Sequence, residues 1–139
     1  MPVVSKFMDK RAVAVIIKDG KILLMRRIRG GEEYFVFPGG GVGEGENPED
    51  AVIREIKEEF CIDIKVDKLL FEIENKGRRE FYYLVNEFSS ISKIGGEEKE
   101  RMNENNQYYP VWKELSEILD LSNLYPESAK QKVVETILQ

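Results

Sequence analysis

The sequence contains no histidine. That absence excludes a Ser-His-Asp or Cys-His nucleophile, a histidine general base and a zinc site built on histidine ligands. Cys61 is the only cysteine, so the chain can form neither an internal disulfide nor a cysteine cluster for a metal. Any chemistry must therefore use carboxylates, lysines, arginines, hydroxyl groups or the backbone.

Long apolar runs are also missing. The longest uninterrupted apolar run covers residues 12–17, whereas a membrane span needs roughly 20 residues. The first residues of the chain lack the apolar stretch and the small-residue cleavage site of a secretory signal. We therefore expect a cytoplasmic protein that does not associate with a membrane.

The charge balance shows no basic excess, with 21 Lys and Arg against 26 Asp and Glu and a net charge of -5. Binding to nucleic acid through phosphate contacts needs a basic face, so no nucleic-acid partner is expected. A small anionic substrate is compatible with this balance, because a bound metal ion can invert the local charge. The chain of 139 residues, 42% of them hydrophobic, fits one ordinary domain over residues 1–139.

The order of the predicted elements indicates a mixed α/β domain. Two apolar strands over residues 11–18 and 21–28 flank the hairpin dipeptide Asp19-Gly20. Further strands are predicted over 34–37, 62–74, 80–88 and 108–112, and helices over 48–60, 113–119 and 127–138. Between the predicted strands over 80–88 and 108–112 lies a polar connection, residues 89–106. Helices packed on a mostly antiparallel or mixed sheet satisfy this order.

One predicted helix combines a strong start signal with an unusual acidic face. Asn47 stands at the N-cap and Pro48 at the first helical position. At the helical period, Glu55, Glu58 and Glu59 fall within an arc of about 100°. Carboxylates at this spacing repel one another by roughly a few tenths of a kcal/mol per pair. The face is therefore either simply solvated or a site for a hard cation such as Mg²⁺ or Mn²⁺.

A glycine-rich loop over residues 39–45 leads directly into this helix. Its backbone can approach a ligand closely, because few side chains intervene. The loop contains neither a Walker pattern nor G-x-G-x-x-G, and a run of glycines by itself is more often a tight turn. Its fixed spacing from the three carboxylates makes the signal specific.

Loop and helix together resemble the Nudix box of the Nudix hydrolases, a MutT-like family. The family pattern is G-x5-E-x7-R-E-U-x-E-E-x-G-U, where U is a bulky apolar residue. The chain matches it from Gly40 through Glu46 to Ile62 at every defined position but one. The resemblance implies the α/β/α sandwich of that family, in which the catalytic helix packs on a mixed sheet.

The exception to the pattern is Cys61, which stands where the family has glycine. That glycine suits a helix C-terminus, where a left-handed conformation is common. A cysteine that keeps this geometry costs on the order of 1 kcal/mol. The substitution therefore questions the local geometry of the helix end more than the chemistry.

The resemblance implies a divalent-metal site and a set of residues around it. Glu55, Glu58 and Glu59, with the backbone carbonyl of Gly39, would hold Mg²⁺ or Mn²⁺. The catalytic set would comprise Glu55, Glu58 and Arg54.

Two further positions of the motif are implied to be structural. Gly40 belongs to the glycine run, and Glu46 would pair with Arg54 to brace the loop against the helix. The carboxylate that activates water is left open. Family members use either a glutamate within the box, here Glu55, or an acid on a loop outside it, where Glu100 and Glu104 are available beside Glu97 and Glu98.

The implied reaction is hydrolysis of a pyrophosphate bond in a nucleoside diphosphate linked to another group. Arg26 and Arg27 are candidates for binding a phosphate of this small-molecule nucleotide. Marker residues of the dinucleoside polyphosphate and ADP-ribose hydrolases are missing after the box, which favours a nucleoside or deoxynucleoside triphosphate.

Other hypotheses about the function are compatible with the sequence. The alternative is a non-catalytic Nudix-fold nucleotide sensor or interaction module, although degenerate members tend to lose the acids that are intact here. The isoprenoid isomerase of the same fold is disfavoured by the absence of histidine, and an acidic binding domain with a fortuitous match stays open. Many relatives are dimers, so a homodimer is a further expectation.

Overall fold

The computed structural model describes residues 9–89 and 106–137 and shows a mixed α/β chain. The first half contains β1 (Lys10–Lys18), β2 (Lys21–Arg29), β3 (Glu32–Val36), β4 (Gly39–Gly41) and α1 (Pro48–Phe60). The second half contains β5 (Ile64–Asn75), β6 (Arg78–Phe88), β7 (Asn106–Glu114), a 3₁₀ helix (Leu115–Asp120), β8 (Leu124–Tyr125) and α2 (Glu127–Ile137). Residues 90–105, which include Glu97, Glu98, Glu100 and Glu104, lie outside the described residues.

The strands form one mixed sheet that opens into two halves. Its order is β5-β6-β1-β2-β3-β8, with β4 paired to β1 and β7 paired to β2. β1 runs parallel to β6 over residues 10–16, but it pairs with β2 only at Ile17↔Ile22 and Lys18↔Lys21. Beyond these pairs β4 takes the edge of β1 that β2 leaves. The two halves therefore separate on the far side of the hairpin.

Alternation along β1 divides its side chains between two cores. Ala12 and Ala14 face α1, where they share a buried cluster with Ile56. Val13 and Val15 face the opposite way and share a second cluster with the 3₁₀ helix and α2. Helices cover both faces of the sheet, so the expected α/β/α sandwich is confirmed.

The predicted bounds of α1 are confirmed by its caps. The Asn47 side chain accepts a hydrogen bond from the Asp50 N–H at 2.8 Å, and Pro48 is the first helical residue. At the other end Cys61 takes the left-handed conformation, φ 59°, and its N–H donates to the Lys57 carbonyl. The cysteine keeps the geometry for which glycine is favoured.

Two local predictions were wrong. The first three residues of the glycine-rich loop, Gly39–Gly41, form strand β4, because β1 offers them an open edge at Arg11, Ala12 and Val13. The predicted helix over 113–119 begins as strand, since β7 pairs with β2 through Glu114. A 3₁₀ helix follows instead, and it buries Leu115 and Ile118, which eclipse at this period. Within residues 9–89 and 106–137, no helix is long and apolar enough to cross a membrane.

Candidate active site

Strand β4 packs its backbone against both β1 and the acidic face of α1. A Cβ atom on Gly39 would lie 2.3 Å from the Ala12 carbonyl oxygen. A Cβ atom on Gly40 would lie 2.1 Å from both Cδ and Oε1 of Glu55. Only glycine permits these approaches, so the Glu55 carboxylate lies directly against the strand.

Glu46 and Arg54 connect the loop between β4 and α1 to the helix. The Arg54 Nε and Nη2 atoms donate to the two carboxylate oxygens of Glu46, each at 2.9 Å. Glu46 also accepts from the Gly43 N–H at 2.8 Å, and Arg54 Nη2 donates to the Gly41 carbonyl at 3.0 Å. The hydrogen bonds from Arg54 and Gly43 lower the pKa of Glu46 to about 2, and the pKa of Arg54 rises correspondingly. This bidentate pair holds the loop in place.

The same guanidinium orders two carboxylates of the acidic face. Arg54 Nη1 donates to Glu55 Oε2 at 3.0 Å and to Glu58 Oε1 at 3.2 Å. The Glu55 side chain is 19% exposed and that of Glu58 is 45% exposed. Burial raises the pKa of Glu55, while the hydrogen bond and charge of Arg54 act in the opposite direction. The two acids therefore differ in environment although they share one arginine.

A cavity of about 230 Å³ lies between α1, β4 and β2. Its lining includes Gly39, Glu55 and Glu59 together with Arg11 and Arg27. Carboxylate and carbonyl oxygens are hard donors, which suit Mg²⁺ or Mn²⁺. The residues present therefore fit a hard divalent cation.

The carboxylates of this face are not drawn together around one point. Among the described residues, no three His, Cys, Asp or Glu side chains are grouped closely enough to hold an ion. Arg54 Nη1 donates to one oxygen of Glu55 and to one oxygen of Glu58, so a cation of the chain itself is shared by these two carboxylates.

The two predicted phosphate-binding arginines lie on opposite faces of β2. Arg27 lines the cavity, with its guanidinium carbon 4.3 Å from the ring centroid of Tyr108. Its Nε atom is buried and has no hydrogen-bond partner in the part of the chain that the structure describes. Arg26 pairs instead with Glu33 and lines a different opening, on the other face of β2. The structure brings Arg27, and not Arg26, to the carboxylates.

Arg11 and Tyr108 also line the cavity, although no pattern in the sequence selects them as site residues. Arg11 is the second residue of β1 and pairs with Gly41 of β4, the strand that packs against the acidic helix. Its charge acts to lower the pKa of Glu55.

Comparisons with known proteins show the same family. A family model described as NUDIX domain matches residues 8–132. The chain is 40% identical over 86 residues to an ADP-ribose pyrophosphatase of Methanocaldococcus jannaschii, covering 61% of this chain and 51% of that protein. It is 38% identical over 92 residues to an 8-oxo-dGTP diphosphatase of Haemophilus influenzae, covering 58% of this chain and 68% of that protein. The chain thus spans about half the length of the first relative.

Solved structures are similar over nearly the whole chain. A MutT NUDIX hydrolase from Burkholderia pseudomallei superposes with a TM-score of 0.69 at 25% identity, covering 93% of this chain and 97% of that one. A MutT structure from a study of Aliivibrio salmonicida and Vibrio cholerae gives a TM-score of 0.71 at 22% identity, covering 94% of this chain and 98% of that one. The second likeness supports the fold alone.

Proposed function

The chain belongs to the Nudix hydrolase family, and from that premise we propose that it hydrolyses a pyrophosphate bond in a nucleoside diphosphate linked to a further group. The relatives named above support this class of reaction, since they are pyrophosphatases and diphosphatases. The observation that carries the proposal is the position of Glu55, which lies against Gly40 in a cavity that also holds two arginines.

The acidic face of α1 is the proposed cation site. Glu55, Glu58 and Glu59, with the carbonyl oxygen of Gly39, would hold Mg²⁺ or Mn²⁺. The cation supplies Lewis acidity toward phosphoryl oxygens and lowers the pKa of a bound water. Arg54 positions the site, because it ties Glu55 and Glu58 to the loop through Glu46.

Glu55 is the proposed acceptor of the proton from the attacking water. Its burial beside Gly40 raises its pKa, and a less acidic carboxyl group is a stronger base near neutral pH. Glu100 and Glu104, the acids of the long connection, lie outside the described residues and stay the alternative bases.

Arg11 and Arg27 are the proposed phosphate ligands. Both line the same cavity as Glu55 and Glu59. Neither forms an ion pair with a described residue. Guanidinium groups bind phosphate oxygens in a bidentate geometry, which would orient the bond to be cleaved.

The proposed substrate is a nucleoside or deoxynucleoside triphosphate. The test is release of phosphate or nucleoside monophosphate from a panel of triphosphates, oxidised purine triphosphates, ADP-ribose, dinucleoside polyphosphates and nucleotide sugars, each with Mg²⁺, Mn²⁺ or EDTA. Turnover of a triphosphate that EDTA abolishes is the expected result. Metal-dependent turnover of ADP-ribose alone would overturn the substrate, and metal binding without turnover of any compound would favour a nucleotide sensor.

A further inference from the structure

A second opening, larger than the cavity beside α1, lies where the two halves of the sheet separate. This basic cleft has a volume of about 630 Å³ and is lined by five cationic side chains, Arg11, Arg27, Arg29, Lys76 and Arg78. Among the described residues none of the five forms an ion pair. Arg11 and Arg27 also line the cavity beside Glu55, so the two spaces adjoin. A positive cleft in a chain of net charge -5 concentrates anionic ligands.

One carboxylate is fixed within this basic cleft. Glu80 lines the cleft and is 2% exposed. Its place follows from the parallel register of β1 and β6, in which Glu80 pairs with Arg11 and Tyr82 pairs with Val13. All four residues line the cleft and form one of its walls. Burial of a carboxylate is costly unless hydrogen bonds or charges compensate it.

The two oxygens of Glu80 each accept one hydrogen bond from a neutral donor. The Tyr82 hydroxyl donates to Oε1 at 2.7 Å, and Asn75 Nδ2 donates to Oε2 at 3.1 Å. Burial and the charge of Glu80 raise the pKa of Tyr82, so the hydroxyl keeps its proton and remains a donor. Within the described ranges Glu80 has no ion pair. The carboxylate is thus held in one orientation, and each oxygen can accept a further bond.

An ionised carboxylate accepts hydrogen bonds and donates none, which limits the bases it can bind. Guanine presents two adjacent N–H donors, N1–H and the 2-amino group, to a pair of oxygens. Adenine and cytosine place a ring acceptor beside their amino group, and uracil flanks its N3–H with two carbonyl oxygens. Only guanine therefore offers two parallel bonds to Glu80 without opposing a lone pair to it.

The cleft also offers an aromatic surface for a base. Tyr34 and Tyr125 line it, with ring centroids 6.4 Å apart in an edge-to-face contact. Tyr125 is 50% exposed, so part of its ring is open to a ligand. Stacking on aromatic rings stabilises any base and does not discriminate among them. Selection must then come from the polar group, which is Glu80.

We propose that the basic cleft binds the nucleoside end of the substrate and that Glu80 selects guanine. This inference rests on the proposed function for the identity of the ligand as a nucleotide. The phosphates would lie toward Arg11 and Arg27, which are shared with the cavity beside Glu55.

The first test measures dissociation constants of GMP, IMP, AMP, CMP and UMP for the wild-type chain by calorimetry. GMP should bind about tenfold or more tightly than AMP, CMP or UMP. IMP, which keeps N1–H but lacks the 2-amino group, should fall between GMP and AMP. Equal affinities, or no binding of any monophosphate, would overturn the inference.

The second test uses Glu80→Gln, which replaces one acceptor by an amide donor of the same shape. The ratio of GMP to AMP affinity should fall toward one, while AMP affinity is kept. Glu74→Gln is the matched control, because Glu74 is exposed on the neighbouring strand β5. If Glu80→Gln keeps the preference for GMP, the assignment is wrong. If that variant fails to fold, the wild-type series with IMP still decides.

Hydrolysis measured on the same preparations separates this inference from the proposed function. Metal-dependent turnover without preference for guanine would overturn the role of Glu80 and leave the proposed reaction intact. Guanine-selective binding without turnover would support the role of Glu80 and overturn the proposed reaction.

Discussion

Arg54 binds both carboxylate oxygens of Glu46, through Nε and Nη2, at 2.9 Å each. The remaining amino group of the same guanidinium reaches Glu55 and Glu58. The Arg54 side chain therefore links the loop between β4 and α1 to the acidic face of α1. The spacing of glutamate and arginine in the sequence motif follows from this geometry, since Glu46 lies just before the N-cap and Arg54 lies two turns into the helix.

The Glu46–Arg54 pair predicts a specific acid sensitivity. The folded chain lowers the pKa of Glu46 to about 2, from an ordinary value of 4.5. The stabilisation is fully present above the unfolded pKa and is lost as the pH falls through the folded one. Glu46→Gln should therefore be less stable than wild type at pH 7, and the difference should shrink between about pH 4.5 and 2.

Urea denaturation across this pH range measures the difference in unfolding free energy. Glu135→Gln, an exposed carboxylate on α2, serves as the control and should stay close to wild type throughout. A difference between Glu46→Gln and wild type that does not change with pH would contradict the account.

Gly40 is expected to be essential for the position of Glu55. In Gly40→Ala the new methyl group would lie 2.1 Å from the Glu55 carboxyl, so this side chain must move. Displacement of a catalytic group by about 1 Å can reduce turnover by about a hundredfold, and we expect a loss of at least about tenfold. Gly41→Ala is the matched control, because a Cβ atom there has no neighbour within 4 Å. Equal kcat values for the two variants would count against the placement of Glu55.

Arg27 should contribute to substrate affinity and Arg26 should not. Arg27→Met removes a cation from the cavity, whereas Arg26→Met removes one from the opposite face of β2. A hydrogen bond to a charged group contributes about 1.5–3 kcal/mol, so KM for the nucleotide should rise about tenfold or more in Arg27→Met alone. Steady-state kinetics on both variants test this, and a similar rise in Arg26→Met would show that the assignment of faces is irrelevant to binding.

Cys61 should destabilise the end of α1 relative to glycine. A non-glycine residue at φ 59° carries about 1–2 kcal/mol of strain, and glycine adds about 0.5–1 kcal/mol of freedom to the unfolded chain. Cys61→Gly should therefore raise the unfolding free energy by about 0.5–1 kcal/mol in urea denaturation. Cys61→Ala keeps the strained conformation and should give no such gain. Equal stability of the two variants would argue against strain at this position.

Local signals in the sequence predicted the bounds of α1 and the acidic face that it carries. Asn47 and Pro48 fix the start of the helix through short-range hydrogen bonding and a fixed φ angle. The helical period places Glu55 and Glu58 on one face without knowledge of any other element. These features need no tertiary information, so the sequence was sufficient for them.

Features that depend on strand pairing were not predictable. The local sequence around Gly40 predicts a loop. Gly40 lies in a strand because β1 presents an unpaired edge to which it can pair. Arg11 and Glu80 are far apart in the sequence and become neighbours only through the parallel register of β1 and β6. The basic cleft exists because β1 and β2 separate after two residue pairs, which no local pattern reveals.

The most direct test of the proposed metal-dependent site compares Glu58→Gln with Glu135→Gln in the presence of Mg²⁺. Glu58 is 45% exposed, so its replacement should leave the fold unchanged, and both variants lose one negative charge. We expect kcat on the best substrate of the panel to fall about a hundredfold or more in Glu58→Gln and to stay near wild type in Glu135→Gln. Near-full activity of a folded Glu58→Gln would contradict the assignment of the acidic face of α1.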